Sequence, residues 1–182
     1  MSLLPTPGQT VGPFFGYALP YEGSENLVPP HHPHAVRLTG AVYDGTGVPV
    51  PDALIEVWQA DENGNIPTAR GSLTRDRHVF TGFGRSATTR DGSYSFTTVE
   101  PGSINDTAPF FALVLFARGI LDKLHSRIYL PQDRDALEHD PFLSVLPPQR
   151  RATLVANRQS DGSLHHDIHL QGDDETVFID FS

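Results

Sequence analysis

The sequence contains no cysteine. This absence excludes disulfide bonds, cysteine zinc sites, iron–sulfur clusters and a thiol nucleophile, and it leaves histidine and carboxylate side chains as candidate metal ligands. A chain without cysteine is compatible with a reducing cytosol. We therefore expect a cytoplasmic protein.

Positive charge is also scarce. The chain has 13 Lys and Arg against 22 Asp and Glu, which gives a formal net charge of −9. Surfaces that follow phosphates or anionic membranes need the opposite balance, so we predict no nucleic-acid and no membrane partner. No apolar run approaches the roughly 18 residues of a membrane span. Residues 1–10 lack the pattern of a signal peptide, and we expect a soluble, unprocessed chain.

Motifs of common enzyme classes are missing as well. The sequence has no Gly-x-Ser-x-Gly elbow, no phosphate-binding glycine loop followed by Lys and Ser or Thr, and no His-Glu-x-x-His helix, so it fits neither the hydrolase nor the nucleotide-binding templates. Gly and Pro number 16 each, which indicates many turns. A length of 182 residues favours one domain.

Short apolar segments bounded by turn residues recur along the chain. They predict strands at 36–43, 53–58, 93–99, 110–116, 124–130, 164–170 and 176–181. The continuous apolar run 110–116 should be a central strand. A short helix is predicted over 134–146, and 150–158 fits no single element. Without crossover helices for a parallel sheet, the pattern predicts an all-β fold, a two-sheet antiparallel β-sandwich with few short helices.

The first 35 residues are rich in Pro and Gly and cannot sustain a regular hydrogen-bond ladder. We therefore predict an extended N-terminal arm over residues 1–35 and a β-sandwich domain over 36–182. Apolar side chains in the arm, such as Val11, Phe14 and Phe15, would each cost roughly 1.5–3 kcal/mol if left in water. The arm should therefore pack on another surface, which we expect to be that of a partner chain.

Two histidine clusters are candidate metal sites, since imidazole binds zinc, copper and iron. In each case solvated side chains are the favoured interpretation. The first cluster lies among prolines with no fourth ligand nearby, and on a strand adjacent residues point to opposite faces. We assign no function to either cluster: His31, His32 and His34, or His165, His166 and His169.

Two single residues stand out on predicted strands. Arg127 carries the side chain best shaped for a bidentate contact with a carboxylate, although a surface ion pair explains it equally well. Trp58, the only tryptophan, is expected in the core or in a subunit contact.

Several motifs combine over nearly the whole chain into a resemblance to the intradiol ring-cleavage dioxygenases. These motifs are Thr10–Phe15, Val57–Ala60, Asp91–Phe96 running into Pro101–Gly102, Leu115–Gly119, Gln171–Gly172 and Glu175–Phe178. The resemblance implies a prealbumin-like β-sandwich that acts with O2 on a small aromatic acid in aromatic catabolism. It also implies a mononuclear non-haem Fe(III), held in the catalytic chains of the family by two Tyr and two His.

This chain departs from the family at those four metal positions. The residues found there are Ile66, Ile104, Phe110 and Ala112. Their side chains offer no lone pair to Fe(III). We therefore expect no metal ligand and no catalytic residue in this chain, and the Fe(III) is expected on a homologous beta chain.

The resemblance also implies that such an iron-free alpha chain lines a substrate pocket at the interface with its beta chain. The substrate-binding residues it implies are Thr10, Gly12 and Pro13 of the arm, and Arg127. Glycine beside rigid proline lets the backbone approach a planar ring closely. A positive charge at Arg127 would attract the carboxylate of an aromatic acid.

There are two alternatives, one an enzyme and one a binding module. A self-sufficient catechol-type enzyme would need Tyr and His at the four positions that hold Ile, Phe and Ala. A transthyretin-like sandwich that only binds an aromatic ligand or a carbohydrate needs no metal and no partner.

Overall fold

The computed structural model of the chain describes residues 15–68 and 80–181. Its strands are β1 Val36–Tyr43, β2 Leu54–Trp58, β3 Phe83–Ala87, β4 Ser93–Thr98, β5 Phe110–Phe116, β6 Leu124–Tyr129, β7 Asn157–Arg158, β8 Leu164–His165 and β9 Ile168–His169. Its helices are α1 Phe15–Ala18, α2 Arg134–His139, α3 Pro141–Ser144 and α4 Pro148–Ala152.

The strands form two sheets. One has the order β4-β1-β8-β7, with β9 also paired to β1, and the other has the order β3-β2-β5-β6. Pairing is antiparallel throughout the second sheet, whereas β1 pairs in parallel with β8 and β9 in the first. The predicted all-β sandwich with few short helices is confirmed, and β5 is an interior strand as its apolar run indicated.

The core lies between the inner faces of the two sheets. Alternation on each strand sends every second side chain inwards. On β4 these are Tyr94, Phe96 and Thr98, all buried, and on β5 they are Phe111, Leu113 and Leu115. Burial of such apolar side chains, at roughly 25 cal/mol per Å² of apolar surface, is the main force that joins the two sheets.

A second, smaller apolar cluster covers one end of the outer face of the second sheet. Its buried members are Ala108, Tyr129, Leu143, Leu154 and Val177. Phe110 and Phe142 pack against it from the edge. The helices that follow β6 thus cover part of this sheet face and leave the part nearer β2 open.

Asp140 interrupts the helix that the sequence predicts over 134–146. Its Oδ1 accepts from the backbone N–H groups of Phe142 at 2.9 Å and Leu143 at 3.0 Å, and Pro141 takes the first helical position after it. A proline at that position has no N–H to lose, and the aspartate satisfies donors that a new helix leaves free. The predicted single helix is therefore two short helices, α2 and α3.

Other element predictions need correction. β3 was not predicted, because its sequence is polar and carries Gly84, and it forms by pairing with β2. The strand predicted over 164–170 is divided into β8 and β9 on either side of His166 and Asp167. Residues 176–181 form no ladder; Ile179 N–H donates to the His125 carbonyl at 2.7 Å, which holds this segment beside β6.

The described part of the arm packs on this chain's own sandwich. Leu27 N–H donates to the Thr97 carbonyl at 2.8 Å, and Arg85 N–H donates to the Ser24 carbonyl at 2.8 Å. Phe15 and Leu27 are buried. Residues 1–14 lie outside the described residues, so packing of their apolar side chains on a partner chain stays a prediction.

Candidate functional site

One row of side chains crosses the open outer face of the second sheet. In the strand register Trp58 stands between Phe83 and Ala112, and Ala112 pairs in turn with Arg127. Residues directly opposite each other on neighbouring strands project to the same face. An aromatic pair and a cation therefore flank one small side chain on a single surface.

Trp58 is 47% exposed, and its ring centroid lies 4.2 Å from that of Phe83. Exposing a tryptophan to water on a sheet face is unfavourable, and such residues are enriched in contact surfaces. The prediction that Trp58 lies in the core is wrong. A role in a subunit contact stays a prediction.

The Arg127 guanidinium is held from two directions. Its Cζ lies 4.2 Å from the ring centroid of Phe110 and 5.0 Å from that of Phe142. Its Nη1 donates to the Tyr129 hydroxyl at 2.9 Å. The ion pairs formed among the described residues do not include Arg127. The surface ion pair, the alternative explanation for this residue, is therefore not found in the part of the chain that the structure describes.

Tyr129 connects Arg127 to a buried carboxylate. Its hydroxyl donates to Asp140 Oδ1 at 3.1 Å, and Asp140 is 1% exposed. Burial raises the pKa of the Tyr129 phenol to about 12, and the nearby Arg127 opposes that rise. The phenol therefore stays protonated at neutral pH and can donate to Asp140 while it accepts from Arg127.

The four positions that resemble family metal positions fall into two groups. Ile66, which is 64% exposed, and Ile104 lie in loops that meet, because Gly102 N–H donates to the Asp61 carbonyl at 2.8 Å. Phe110 and Ala112 lie on β5. All four side chains are hydrocarbon, and no group of three His, Asp or Glu side chains within 15–68 and 80–181 is arranged to hold a metal ion. The residues that the structure describes at these four positions do not fit an iron centre.

The histidine clusters lie away from this row. His34 Nδ1 lies 2.8 Å from Glu62 Oε1 at an exposed position. His165 Nε2 lies 3.1 Å from Asp167 Oδ1, while His166 points the other way and is 4% exposed. Burial lowers the pKa of His166 to about 4, so this ring is neutral at pH 7. The opposite orientations of His165 and His166 follow the predicted alternation.

A groove of about 560 Å³ lies on the outer face of the first sheet. Arg37, Tyr43, His165 and Asp167 contribute to its walls, and Arg127 does not. This groove and the row on the second sheet are therefore separate surfaces.

Thr10, Gly12 and Pro13 lie outside the described residues, so their predicted place beside a substrate stays a prediction. Sequence reasoning missed Tyr129, Phe142 and Asp140. A signal for Tyr129 was available, since a residue two positions after Arg127 on a strand shares its face. No comparable sequence signal pointed to Phe142, which reaches Arg127 through the turn at Asp140.

The longest helix of the described residues, α2, has six residues. No helix in that part of the chain could cross a membrane.

Residues 12–172 match a protein-family model described as Dioxygenase. The chain is 40% identical over 203 residues to a protocatechuate 3,4-dioxygenase alpha chain of Pseudomonas putida, an alignment that covers 100% of this chain and 99% of that one. It is 30% identical over 180 residues to a protocatechuate 3,4-dioxygenase beta chain of Burkholderia cepacia, covering 87% and 74% of the two chains.

The fold is similar to that of an intradiol ring-cleavage dioxygenase from Tetranychus urticae, with a TM-score of 0.60 at 15% identity over 87% of each chain. Together with the alpha- and beta-chain relatives, this likeness confirms the resemblance seen in the motifs. The chain belongs to the iron-dependent family of intradiol ring-cleaving dioxygenases.

Proposed function

We propose that this chain is the alpha subunit of a protocatechuate 3,4-dioxygenase and works with a homologous beta chain. The reaction is intradiol cleavage of protocatechuate with O2 to 3-carboxy-cis,cis-muconate. The bond between the two hydroxyl-bearing ring carbons breaks, and both oxygen atoms of O2 enter the product. The similarity to named alpha and beta chains supports such a two-chain assembly.

In this proposal the Fe(III) belongs to the beta chain. Two observations support placing the iron on the beta chain. The four positions that resemble metal positions hold hydrocarbon side chains, and Arg127 lies on the same sheet face as one of them, Ala112. Apolar side chains at these positions provide no donor atom for a metal ion. What this chain contributes is then the shape and charge of the pocket rather than a metal ligand.

Arg127 is the proposed substrate-binding residue among the described ones. Its guanidinium keeps N–H donors beyond the one given to Tyr129, and a planar fork of donors matches the geometry of a carboxylate. In a chain of net charge −9 it also provides a local positive charge that favours an anionic aromatic acid.

The arm completes the pocket in this proposal. Residues 1–35 are assigned to the arm and residues 36–182 to the sandwich, with Thr10, Gly12 and Pro13 beside the substrate at the interface with the beta chain. The backbone position held by Gly12 leaves room for an aromatic ring to approach.

The test is to prepare the chain alone and together with its beta chain, and to measure iron content, visible absorption and oxygen uptake with protocatechuate. We expect little iron in the isolated chain. The mixed complex should contain iron, show tyrosinate-to-iron absorption and consume oxygen.

Stoichiometric iron in the isolated chain, with oxygen uptake, would overturn the assignment and favour a self-sufficient enzyme. A chain that stays monomeric beside the beta chain would instead favour an aromatic- or carbohydrate-binding sandwich.

A further inference from the structure

Arg127 ends a chain of hydrogen bonds that begins at a buried carboxylate. Asp140 accepts from the Tyr129 hydroxyl at 3.1 Å, and Tyr129 accepts from Arg127 Nη1 at 2.9 Å. The phenol can fill both roles because a hydroxyl offers one donor and two acceptor positions. Its orientation is thereby fixed by two charged partners of opposite sign.

Asp140 is itself held rigidly. Besides the Tyr129 hydroxyl, it accepts from the backbone N–H groups of Phe142, Leu143 and Ala108, the last to Oδ2 at 3.2 Å. Backbone donors from two segments therefore fix the carboxylate in place. A carboxyl group that is 1% exposed needs such donors, because buried polar atoms without hydrogen bonds are costly.

Two aromatic rings restrict the guanidinium as well. Phe110 approaches it to 4.2 Å and Phe142 to 5.0 Å. Phe110 comes from β5, and Phe142 follows Asp140 on α3. The turn that fixes the Asp140 carboxylate therefore also places one of the rings against Arg127.

A flexible arginine loses rotamer entropy when it is fixed by a ligand. In this structure much of that ordering has already occurred, since the cation is held by one hydrogen bond and two rings before any substrate is bound. Preorganisation of this kind increases affinity by lowering the cost of binding.

We propose that Tyr129 and Asp140 are positioning residues that, with Phe110 and Phe142, hold the Arg127 guanidinium ready for the carboxylate of the aromatic acid. This inference rests on the proposed function. Tyr129 and Asp140 would then affect substrate specificity without contacting the substrate, because they position Arg127. Affinity for the substrate carboxylate would depend on the Tyr129 hydroxyl.

The experiment uses the assembled alpha–beta protein with Tyr129→Phe, Arg127→Ala and the double variant. The readouts are KM and kcat for protocatechuate and, independently of turnover, the Kd of 4-hydroxybenzoate by calorimetry. We expect Tyr129→Phe to raise KM and Kd roughly threefold, less than Arg127→Ala does because both rings remain, with kcat within about twofold; threefold corresponds to about 0.7 kcal/mol of binding free energy. In the Arg127→Ala background the same change should have no further effect on KM.

Tyr94→Phe is the matched control. Tyr94 is also a buried tyrosine, but it lies on β4 in the first sheet. Its hydroxyl donates to the His166 carbonyl at 2.6 Å. Both variants lose one buried hydroxyl, so a similar fall in Tm is expected, but the Tyr94 variant should keep the KM and Kd of the unmodified protein. A second variant, Asp140→Asn, keeps Oδ1 as the acceptor for the cap and for the Tyr129 hydroxyl but removes the negative charge, so it should raise KM less than Tyr129→Phe does.

The outcomes separate the two proposals. If Arg127→Ala leaves KM and Kd unchanged, Arg127 does not bind the substrate and the proposed site is wrong. If Arg127→Ala raises KM while Tyr129→Phe and Asp140→Asn do not, only the positioning role is refuted. An equal effect of Tyr129→Phe with and without Arg127 would likewise refute it, since the hydroxyl would then act by another route.

Discussion

Arg85 and Glu56 stand directly opposite each other on β3 and β2, and Arg85 Nε lies 2.6 Å from Glu56 Oε1. Both side chains are largely buried, with 19% and 11% of their surfaces exposed. Arg85 also donates to the Leu19 carbonyl at 3.1 Å, so this cation ties the first residues of the described chain to the sheet. The pair thus joins the polar strand β3 to β2 and to the arm.

We predict that Arg85→Ala lowers the free energy of unfolding by roughly 3 kcal/mol. Removing Arg85 leaves the largely buried Glu56 carboxyl group without its cation, and losing one partner of a buried pair costs more than the pair itself contributes. Urea denaturation of the full chain, followed by circular dichroism, measures the change.

Arg118 and Asp52 provide the control, because their pair lies 2.7 Å apart at positions that are 67% and 37% exposed. Arg118→Ala should change the free energy of unfolding by no more than about 1 kcal/mol, as is usual for an exposed pair. If Arg85→Ala and Arg118→Ala lower the free energy of unfolding equally, the burial of Glu56 does not explain the cost of losing its partner.

His166 predicts a specific dependence of stability on pH. Burial holds its pKa at about 4, below the ordinary value of 6.5, so the unfolded chain takes up a proton at a pH where the folded chain does not. The contribution of His166 to the free energy of unfolding should therefore be most favourable above pH 6.5 and decrease as the pH falls towards 4. Below pH 4 it should not change further. The total loss from this one group is on the order of 3 kcal/mol.

The measurement is the free energy of unfolding at intervals between pH 7.5 and 4 for the unmodified chain and for His166→Gln. The variant should lose part of the pH dependence in this window, since glutamine does not titrate. His31→Gln, at an exposed loop position, serves as the control and should keep the slope. Identical slopes for His166→Gln and the unmodified chain would contradict the prediction.

Arg127→Ala should weaken the binding of protocatechuate more than that of catechol, which lacks the carboxylate. We expect KM for protocatechuate to rise roughly fivefold in the assembled protein, in line with about 1 kcal/mol for a partly exposed charge contact. KM for catechol should stay within about twofold. Arg127→Lys keeps the charge but not the fork of donors and should give an intermediate KM. A parallel rise in KM for both compounds would show that Arg127 acts on the pocket rather than on the carboxylate.

Gly12→Leu should reduce kcat in the assembled protein by roughly tenfold or more, if the arm lines the pocket and bulk there displaces the ring from its reactive position. The matched control is Gly16→Leu. A Cβ added at Gly16 meets no atom of the described residues within 4 Å, so we expect this substitution to leave kcat nearly unchanged. Full activity of the Gly12 variant, measured by oxygen uptake, would remove the arm from the proposed site.

The fold was predictable where apolar residues alternate along the chain or form one continuous short run. Val36–Tyr43 and Phe110–Phe116 were predicted with the bounds that the structure gives. β3 escaped prediction because its stability comes from pairing with β2 and from the Arg85–Glu56 contact, which a local pattern does not contain. The segment 176–181 looked like a strand because it is apolar, yet it is held by isolated hydrogen bonds such as that from Ile179 to His125.

The candidate site was predictable only in part. Arg127 was selected for the chemistry of its side chain, and the apolar residues at the four metal positions came from the family resemblance. The surroundings of Arg127 could not be found in the same way, since Phe142 and, through the Tyr129 hydroxyl, Asp140 reach it from a turn between two short helices. Contacts between elements that are distant in sequence depend on tertiary packing, which periodicity does not encode.

Phe110 carries a consequence for how such a chain can change over time. Its ring lies against the Arg127 guanidinium, so a histidine introduced at this position would remove that support and set a titratable ring beside a fixed cation. If Arg127 binds the acid as proposed, gaining an imidazole at this position would weaken that binding in the same step. In the proposed two-chain assembly, the contact between Phe110 and Arg127 therefore opposes a change that would place a metal ligand on this chain.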